Sequence, residues 1–196
     1  AVNRDRVGFL HASPSGYTLK EPVRGRGQIL HAAATLLGQP APSLESSPLG
    51  GSEIENQESK IENGSIPWRL LARAAPRHSI MIWLGDFPPR NAPEGWSVLT
   101  RRYQTMGFRV DDPWDRSLPV DRSLTVYDPV AGRLVSLNGA SATQRAAHAE
   151  WVQERENSFR ALFPDSLSRL VVGTDEERLN ALVRFFHARM FAGHRR

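Results

Sequence analysis

The 196-residue chain is 40% hydrophobic and carries a formal net charge of +4, enough apolar surface for one good core and too little length for two comfortable ones. It has no cysteine, which excludes disulfides, thiol nucleophiles and thiolate metal sites and makes a reducing compartment the simplest home. No apolar run approaches the roughly 18 residues of a membrane span, and Ala1-Val2-Asn3-Arg4-Asp5-Arg6 lacks the apolar core of a signal peptide, so the expected location is cytoplasmic.

All the lysine is Lys20 and Lys60, so the basic character is guanidinium, which forms bidentate contacts with carboxylates and phosphates. The hairpin comes first. Arg6-Val7-Gly8-Phe9-Leu10-His11-Ala12 is apolar enough for a buried strand, Ser13-Pro14-Ser15-Gly16 supplies turn chemistry, and Tyr17-Thr18-Leu19-Lys20-Glu21-Pro22 returns at an edge because Pro22 cannot donate to a ladder. Arg24-Gly25-Arg26-Gly27 then leads into an Ala/Leu-rich helix from Gln28 to Leu37, closed by Gly38.

Residues 39–66 change character: Pro40, Pro42, Pro48, Gly50, Gly51 and Gly64 lie among Ser, Asn and the acidic Glu45, Glu53, Glu55, Glu58 and Glu62. This composition cannot bury enough apolar surface to order itself, and the segment reads as a surface insertion in a single domain spanning 1–196. Ser65 as a cap and Pro67 at the first turn predict a helix through Ala75, which Pro76 ends.

Ser79-Ile80-Met81-Ile82-Trp83-Leu84-Gly85-Asp86-Phe87 is a continuous apolar run, the pattern of a parallel strand buried on both faces, and is expected at the centre of the sheet. Trp96, Leu99 and Tyr103 keep helical spacing, and Gly107-Phe108-Arg109-Val110 gives another strand, so helix and strand alternate as parallel pairing requires. A polar loop from Asp111 to Pro119 precedes a hairpin of Leu124–Tyr127 and Arg133–Leu137. Ser141 and Gln144 predict a capping box for a long helix with Val152, Arg155, Phe159 and Leu162 on one face. Leu167–Val172 is the last strand, and Thr174 with Glu177 is expected to cap a final helix whose core stripe is Leu179, Leu182, Val183, Phe186 and Met190.

The order of these pieces, from Asp5-Arg6-Val7-Gly8-Phe9-Leu10 through Arg24-Gly25-Arg26-Gly27, the Gly85-Asp86-Phe87 strand end, Asp111-Asp112-Pro113-Trp114-Asp115-Arg116-Ser117-Leu118-Pro119, Asp128-Pro129 with Gly132-Arg133, and Thr174-Asp175 before Leu182-Val183-Arg184-Phe185-Phe186, resembles one bacterial group. It is similar to the von Willebrand factor A-like domain of domain-of-unknown-function family fifty-eight. The resemblance implies an α/β, Rossmann-like, doubly wound and mostly parallel sheet. The chain starts at what would be the second strand, so the first strand is missing from it. The sheet must then close around a gap, import a strand from a second chain or belong to a longer product; the expectation is a fragment or split gene whose chain is poorly stable or oligomeric alone.

Such domains hold Mg²⁺ or Mn²⁺ through a D-x-S-x-S loop after the first strand, a Thr from a second loop and an Asp from a third, an oxygen set suited to a hard cation. Asp86 matches the third element; the second loop offers Gly27 or Gln28 in place of Thr; the first is absent. Asp121-Arg122-Ser123-Leu124-Thr125 fits that first pattern by letter but falls in the hairpin. No cofactor is therefore expected, with Mg²⁺ or Mn²⁺ bound only where an upstream segment or another chain supplies the missing motif. Arg24, Gly25, Arg26 and Gly27 form a candidate anion or partner contact at a helix start.

No histidine pair stands at metal-ligand spacing and no G-x-S-x-G occurs. Members of the resembling family are associated with MoxR-type AAA+ ATPases, which implies a non-enzymatic adaptor or co-chaperone. Two alternatives come from other classes: a basic nucleic-acid binder, and a metal-dependent hydrolase around Asp86, Asp111 and Asp112.

Overall fold

A computed structural model describes residues 5–13, 16–24, 26–38, 67–128 and 133–193. The expected insertion at 39–66 and the cap at Ser65 lie outside the described residues. The chain divides into two compact units, one of residues 1–77 with 93–102 and one of residues 78–92 with 103–196.

In the first unit, β1 (Arg6–Ser13) and β2 (Gly16–Arg24) form the expected hairpin, an antiparallel ribbon whose register shifts between Val7 and Phe9. The ribbon is a two-stranded sheet of its own, and Val7 and Val23 are exposed, so β1 is not the buried strand its composition predicts. The helix α1 (Arg26–Leu37) opens earlier than expected and takes in Gly27. The helices α2 (Trp68–Ala74) and α3 (Trp96–Arg102) follow, with Leu71 and Leu99 buried. Pro67 stands at the N-cap of α2 with no side-chain cap. Gly95 has φ +73, a left-handed conformation that disfavours a Cβ, and a Cβ there would also strike the Trp68 ring.

The second unit is mixed α/β. Three strands, β3 (Ile80–Gly85), β4 (Gln104–Asp111) and β7 (Arg169–Gly173), form a parallel sheet in the order β3-β4-β7. Parallel pairing is as the alternation of elements requires. The order differs from the central place expected of the apolar run: among the described residues β3 is an edge strand and β4 lies in the middle. The side chains of Ile80, Ile82 and Leu84 are exposed, while Met81, Trp83 and Gly85 are half-buried. An unbroken apolar run looks the same whether both faces are covered or one is bare, and periodicity alone cannot separate the two.

Polarity of β4 divides the unit into two layers. Gly107, Arg109 and Asp111 face α5 (Ala142–Leu162), and a Cβ at Gly107 would collide with the Phe163 and Phe159 rings, so the helix seats directly on the strand backbone. Met106 and Phe108 face the other way, onto Phe185 of α6 (Arg178–Gly193), with Leu170 and Leu182 beside them. Helices therefore lie on both faces of the sheet.

Between β4 and β7 the chain forms α4 (Pro113–Arg116) and an antiparallel hairpin of β5 (Ser123–Asp128) and β6 (Arg133–Asn138). The region from Asp111 to Pro119 is thus partly helical, because Asp112 and Asp115 close a reciprocal capping box around Pro113. The box expected at α5 is half formed: the Ser141 hydroxyl accepts from the Gln144 amide at 3.4 Å, but the Gln144 side chain turns to the Asn138 amide. Thr174 likewise does not cap α6; its hydroxyl hydrogen-bonds the Asp112 carboxylate at 3.4 Å. The expected stripe of α6 splits. Ala181 and Phe185 are its buried face and Leu182 is half-buried, whereas Leu179, Val183, Phe186 and Met190 are exposed.

Candidate functional site

In open α/β sheets the ligand crevice lies beyond the carboxyl ends of the parallel strands. Here those ends bring together Asp86 after β3, Asp111 as the last residue of β4 with Asp112 after it, and Thr174 and Asp175 after β7. A cleft of about 390 Å³ opens beside them, lined chiefly by Arg109, Asp111, Arg155, Glu156, Arg116 and Glu176.

The cleft is organised by two buried arginines. Arg109 donates from Nε to Asp111 Oδ1 at 2.9 Å and from Nη2 to Oδ2 at 3.1 Å, the bidentate fork that suits guanidinium to carboxylate. Its Nη1 lies 2.9 Å from Glu156 Oε2, an ion pair without well-directed hydrogen-bond geometry. The guanidinium also sits 4.9 Å from the centre of the Phe159 ring. Arg155, only 2% exposed, reaches Asp111 Oδ1 at 3.0 Å and Asp115 Oδ2 at 3.7 Å. It also donates from Nε to the Asp86 carbonyl at 2.8 Å, with Nη2 on the same oxygen.

Both oxygens of the buried Asp111 are thus engaged by arginine. The Asp86 carbonyl held by Arg155 lies at a tight corner: Phe87 follows with φ 47 and packs its ring 4.9 Å from Phe159 and 5.7 Å from Phe163. A left-handed conformation is unusual for a bulky residue. The anchoring of Asp86 and the burial of the Phe87 ring hold it in place.

The outer carboxylates are also occupied. Asp112 Oδ1 accepts from the Trp114 amide at 3.1 Å and Asp115 Oδ2 from the Asp112 amide at 2.9 Å, while Arg116 bridges Asp175 at 3.4 Å and Glu176 at 3.2 Å. Within this cluster Asp111 pairs with Arg109 on the same strand. Arg116 goes instead to the β7 end. Arg155 and Glu156 carried no role in the sequence reading. The available signal was an arginine on the buried stripe between Val152 and Phe159, since a buried cation requires a partner.

Glu156 balances opposing influences. Burial pushes its carboxyl up, but the Arg109 and Arg160 contacts outweigh that and hold it below the usual glutamate range. A depressed folded value contributes stability that is complete above the unfolded-chain pKa of about 4.3 and is lost as pH falls through the lower folded value. The Glu156→Gln variant is therefore expected to show a shallower loss of stability below about pH 4.3 than the parent chain. Denaturant midpoints measured across that window check this, and parallel acid limbs would refute it.

The Asp86 carboxylate is exposed and makes no hydrogen bond or ion pair among the described residues. Among the described residues no three His, Asp or Glu side chains gather within reach of one cation. Asp111 and Asp112 are engaged by arginine and by helix capping. Of the candidate anion contact, Arg24 ends β2, exposed, and Gly27 lies in the first turn of α1 with open space beside it. Gly25 and the side chain of Arg26 lie outside the described residues.

A family model described as "Protein of unknown function DUF58" matches residues 1–158. The chain belongs to the DUF58 family. The match runs through both strands of each hairpin, the first two parallel strands and most of α5, so it contains Arg109, Asp111 and Arg155. In this DUF58 chain β7 and α6 follow the matched region. No curated protein and no solved structure matches the chain. No helix among the described residues is long and apolar enough to cross a membrane.

Proposed function

We propose that this DUF58 chain is a protein-interaction domain, an adaptor or co-chaperone for a MoxR-type AAA+ ATPase, built on a von Willebrand factor A-like sheet and without chemistry of its own. The observation that carries the reading is the strand-end cleft. Its carboxylates and guanidiniums are spent on one another, and its lining contains no histidine or hydroxyl side chain to act as base or nucleophile. Exposed apolar side chains on β3 and α6 supply the kind of surface that marks protein contacts. Family membership agrees with the resemblance from which the ATPase partnership comes. Cytoplasmic location and completion of the sheet by a further strand belong to the same reading.

Affinity capture from the source organism's lysate, with the chain as bait and with or without ATP, tests it. Recovery of an AAA+ ATPase that depends on nucleotide is the expected result. Recovery of nucleic acid with steep salt dependence would replace the reading with a basic nucleic-acid binder. Recovery of no ATPase would overturn the adaptor role.

A further inference from the structure

Phe87 carries two backbone conflicts at once. Its φ is 47, in the left-handed region where a bulky side chain is an outlier. It also precedes Pro88, whose ring pushes the residue before it toward an extended φ of roughly −120 ± 40°. Such strain persists only where the surroundings impose it, and here one helix imposes it from two sides. Arg155 of α5 donates from Nε to the Asp86 carbonyl at 2.8 Å, with Nη2 on the same oxygen. One turn further along α5, Phe159 packs the buried Phe87 ring at 4.9 Å between centroids.

The Asp86 carbonyl and the Phe87 amide belong to one planar peptide unit. Rotating that plane by half a turn changes ψ of Asp86 and φ of Phe87 together and leaves Gly85, the Phe87 ring and Pro88 in place. It takes φ of Phe87 from 47 to about −130°, inside the range a residue before proline prefers. The amide that turns with the carbonyl holds no backbone acceptor among the described residues, so the rotation gives up only the bonds from Arg155. Relief of strain on one side opposes a charge-assisted hydrogen bond on the other.

We propose that the Asp86–Phe87 peptide is a two-position switch and that Arg155 is its latch. In the latched position the carbonyl points at Arg155. In the released position it points away, on the side of the exposed Asp86 carboxylate, and adds a hydrogen-bond acceptor to the carboxyl end of β3. Arg155 keeps its ion pairs to Asp111 at 3.0 Å and Asp115 at 3.7 Å in both. One peptide thus gives this end of the sheet two hydrogen-bonding faces, and a donor-bearing ligand at Asp86 selects the released one. The switch is a property of the chain alone and does not depend on the adaptor reading.

Relaxation-dispersion NMR on the ¹⁵N-labelled full chain tests it, because that measurement reads microsecond-to-millisecond exchange residue by residue. Exchange centred on the amides of Asp86 and Phe87, with a released population on the order of 1%, is expected in the parent chain. Pro88→Ala, at an exposed position, removes the conflict with proline and lowers that population several-fold. Arg155→Lys keeps the charge, loses the fork and raises it about fivefold, the equivalent of one net hydrogen bond. Flat profiles at these two amides in the parent chain would overturn the proposal, as would a released population that Pro88→Ala leaves unchanged. Exchange spread evenly along α5 would overturn it too, since that reports the whole helix moving. If Arg155→Lys does not fold, the parent chain and Pro88→Ala decide the matter between them.

Discussion

Replacing Arg155 with alanine is expected to lower the free energy of unfolding by about 3–5 kcal/mol, the range for removing one member of a buried ion pair. Three acceptors lose a partner together: the Asp111 carboxylate, the Asp115 carboxylate and the Asp86 carbonyl. Arg109 still holds Asp111 in its fork, so the charge is not stranded, and this places the effect within the range rather than beyond it. The Asp86 carbonyl has no such reserve, and with it goes the tie that fixes the left-handed corner at Phe87. Arg155→Lys is expected to recover only part of the loss, because one ammonium cannot serve three separated acceptors in a planar fork. Urea unfolding of the three proteins measures this; a loss below about 1 kcal/mol for the alanine variant, the median ceiling for solvent-exposed pairs, would show that the network behaves as a surface one.

Phe159→Ala is expected to cost a similar amount, about 3–5 kcal/mol, for a different reason. The ring is fully buried and meets Phe87 at 4.9 Å, Phe163 at 5.4 Å and the Arg109 guanidinium at 4.9 Å. Truncation opens a cavity in the aromatic cluster and removes the cation–π contact beneath a cation that is already desolvated. Phe159→Leu keeps most of the volume and is expected to lose clearly less. If alanine and leucine are equivalent in denaturant midpoint, the site collapses around the gap and the ring's geometry is not what holds α5.

The hairpin over 6–24, the helix ending at Leu37, the parallel strands and the buried stripe through Arg155, Phe159 and Leu162 were legible in the sequence. Each follows from local signals: turn chemistry, periodicity and caps. What was not legible is which neighbour each element finds. Ile80-Met81-Ile82-Trp83-Leu84 reads as a core strand because its composition is uniform, but its position at the edge follows from which strands pair with β4, a long-range fact. The same holds for α6, where the apolar residues were found but not the division between the Phe185 side and the exposed Val183 side. In the cleft, Asp111 and Arg109 could be paired from their i, i+2 spacing on one strand face. Arg155 could not be joined to them without knowing that α5 crosses the carboxyl end of β4.

The two pairings that build the parallel sheet differ greatly in chain separation. Ile80 meets Gln104 across a short crossover, but Gly107 meets Arg169 only after α4, a complete hairpin and α5 have intervened. Contacts between distant parts of a chain must meet their loop-closure entropy before they return any stabilisation, which slows folding. All four residues of the Arg109, Asp111, Arg155 and Glu156 lattice precede β7 in the chain, so the charges that tie α5 to β4 are independent of the long-range pairing that adds the third strand.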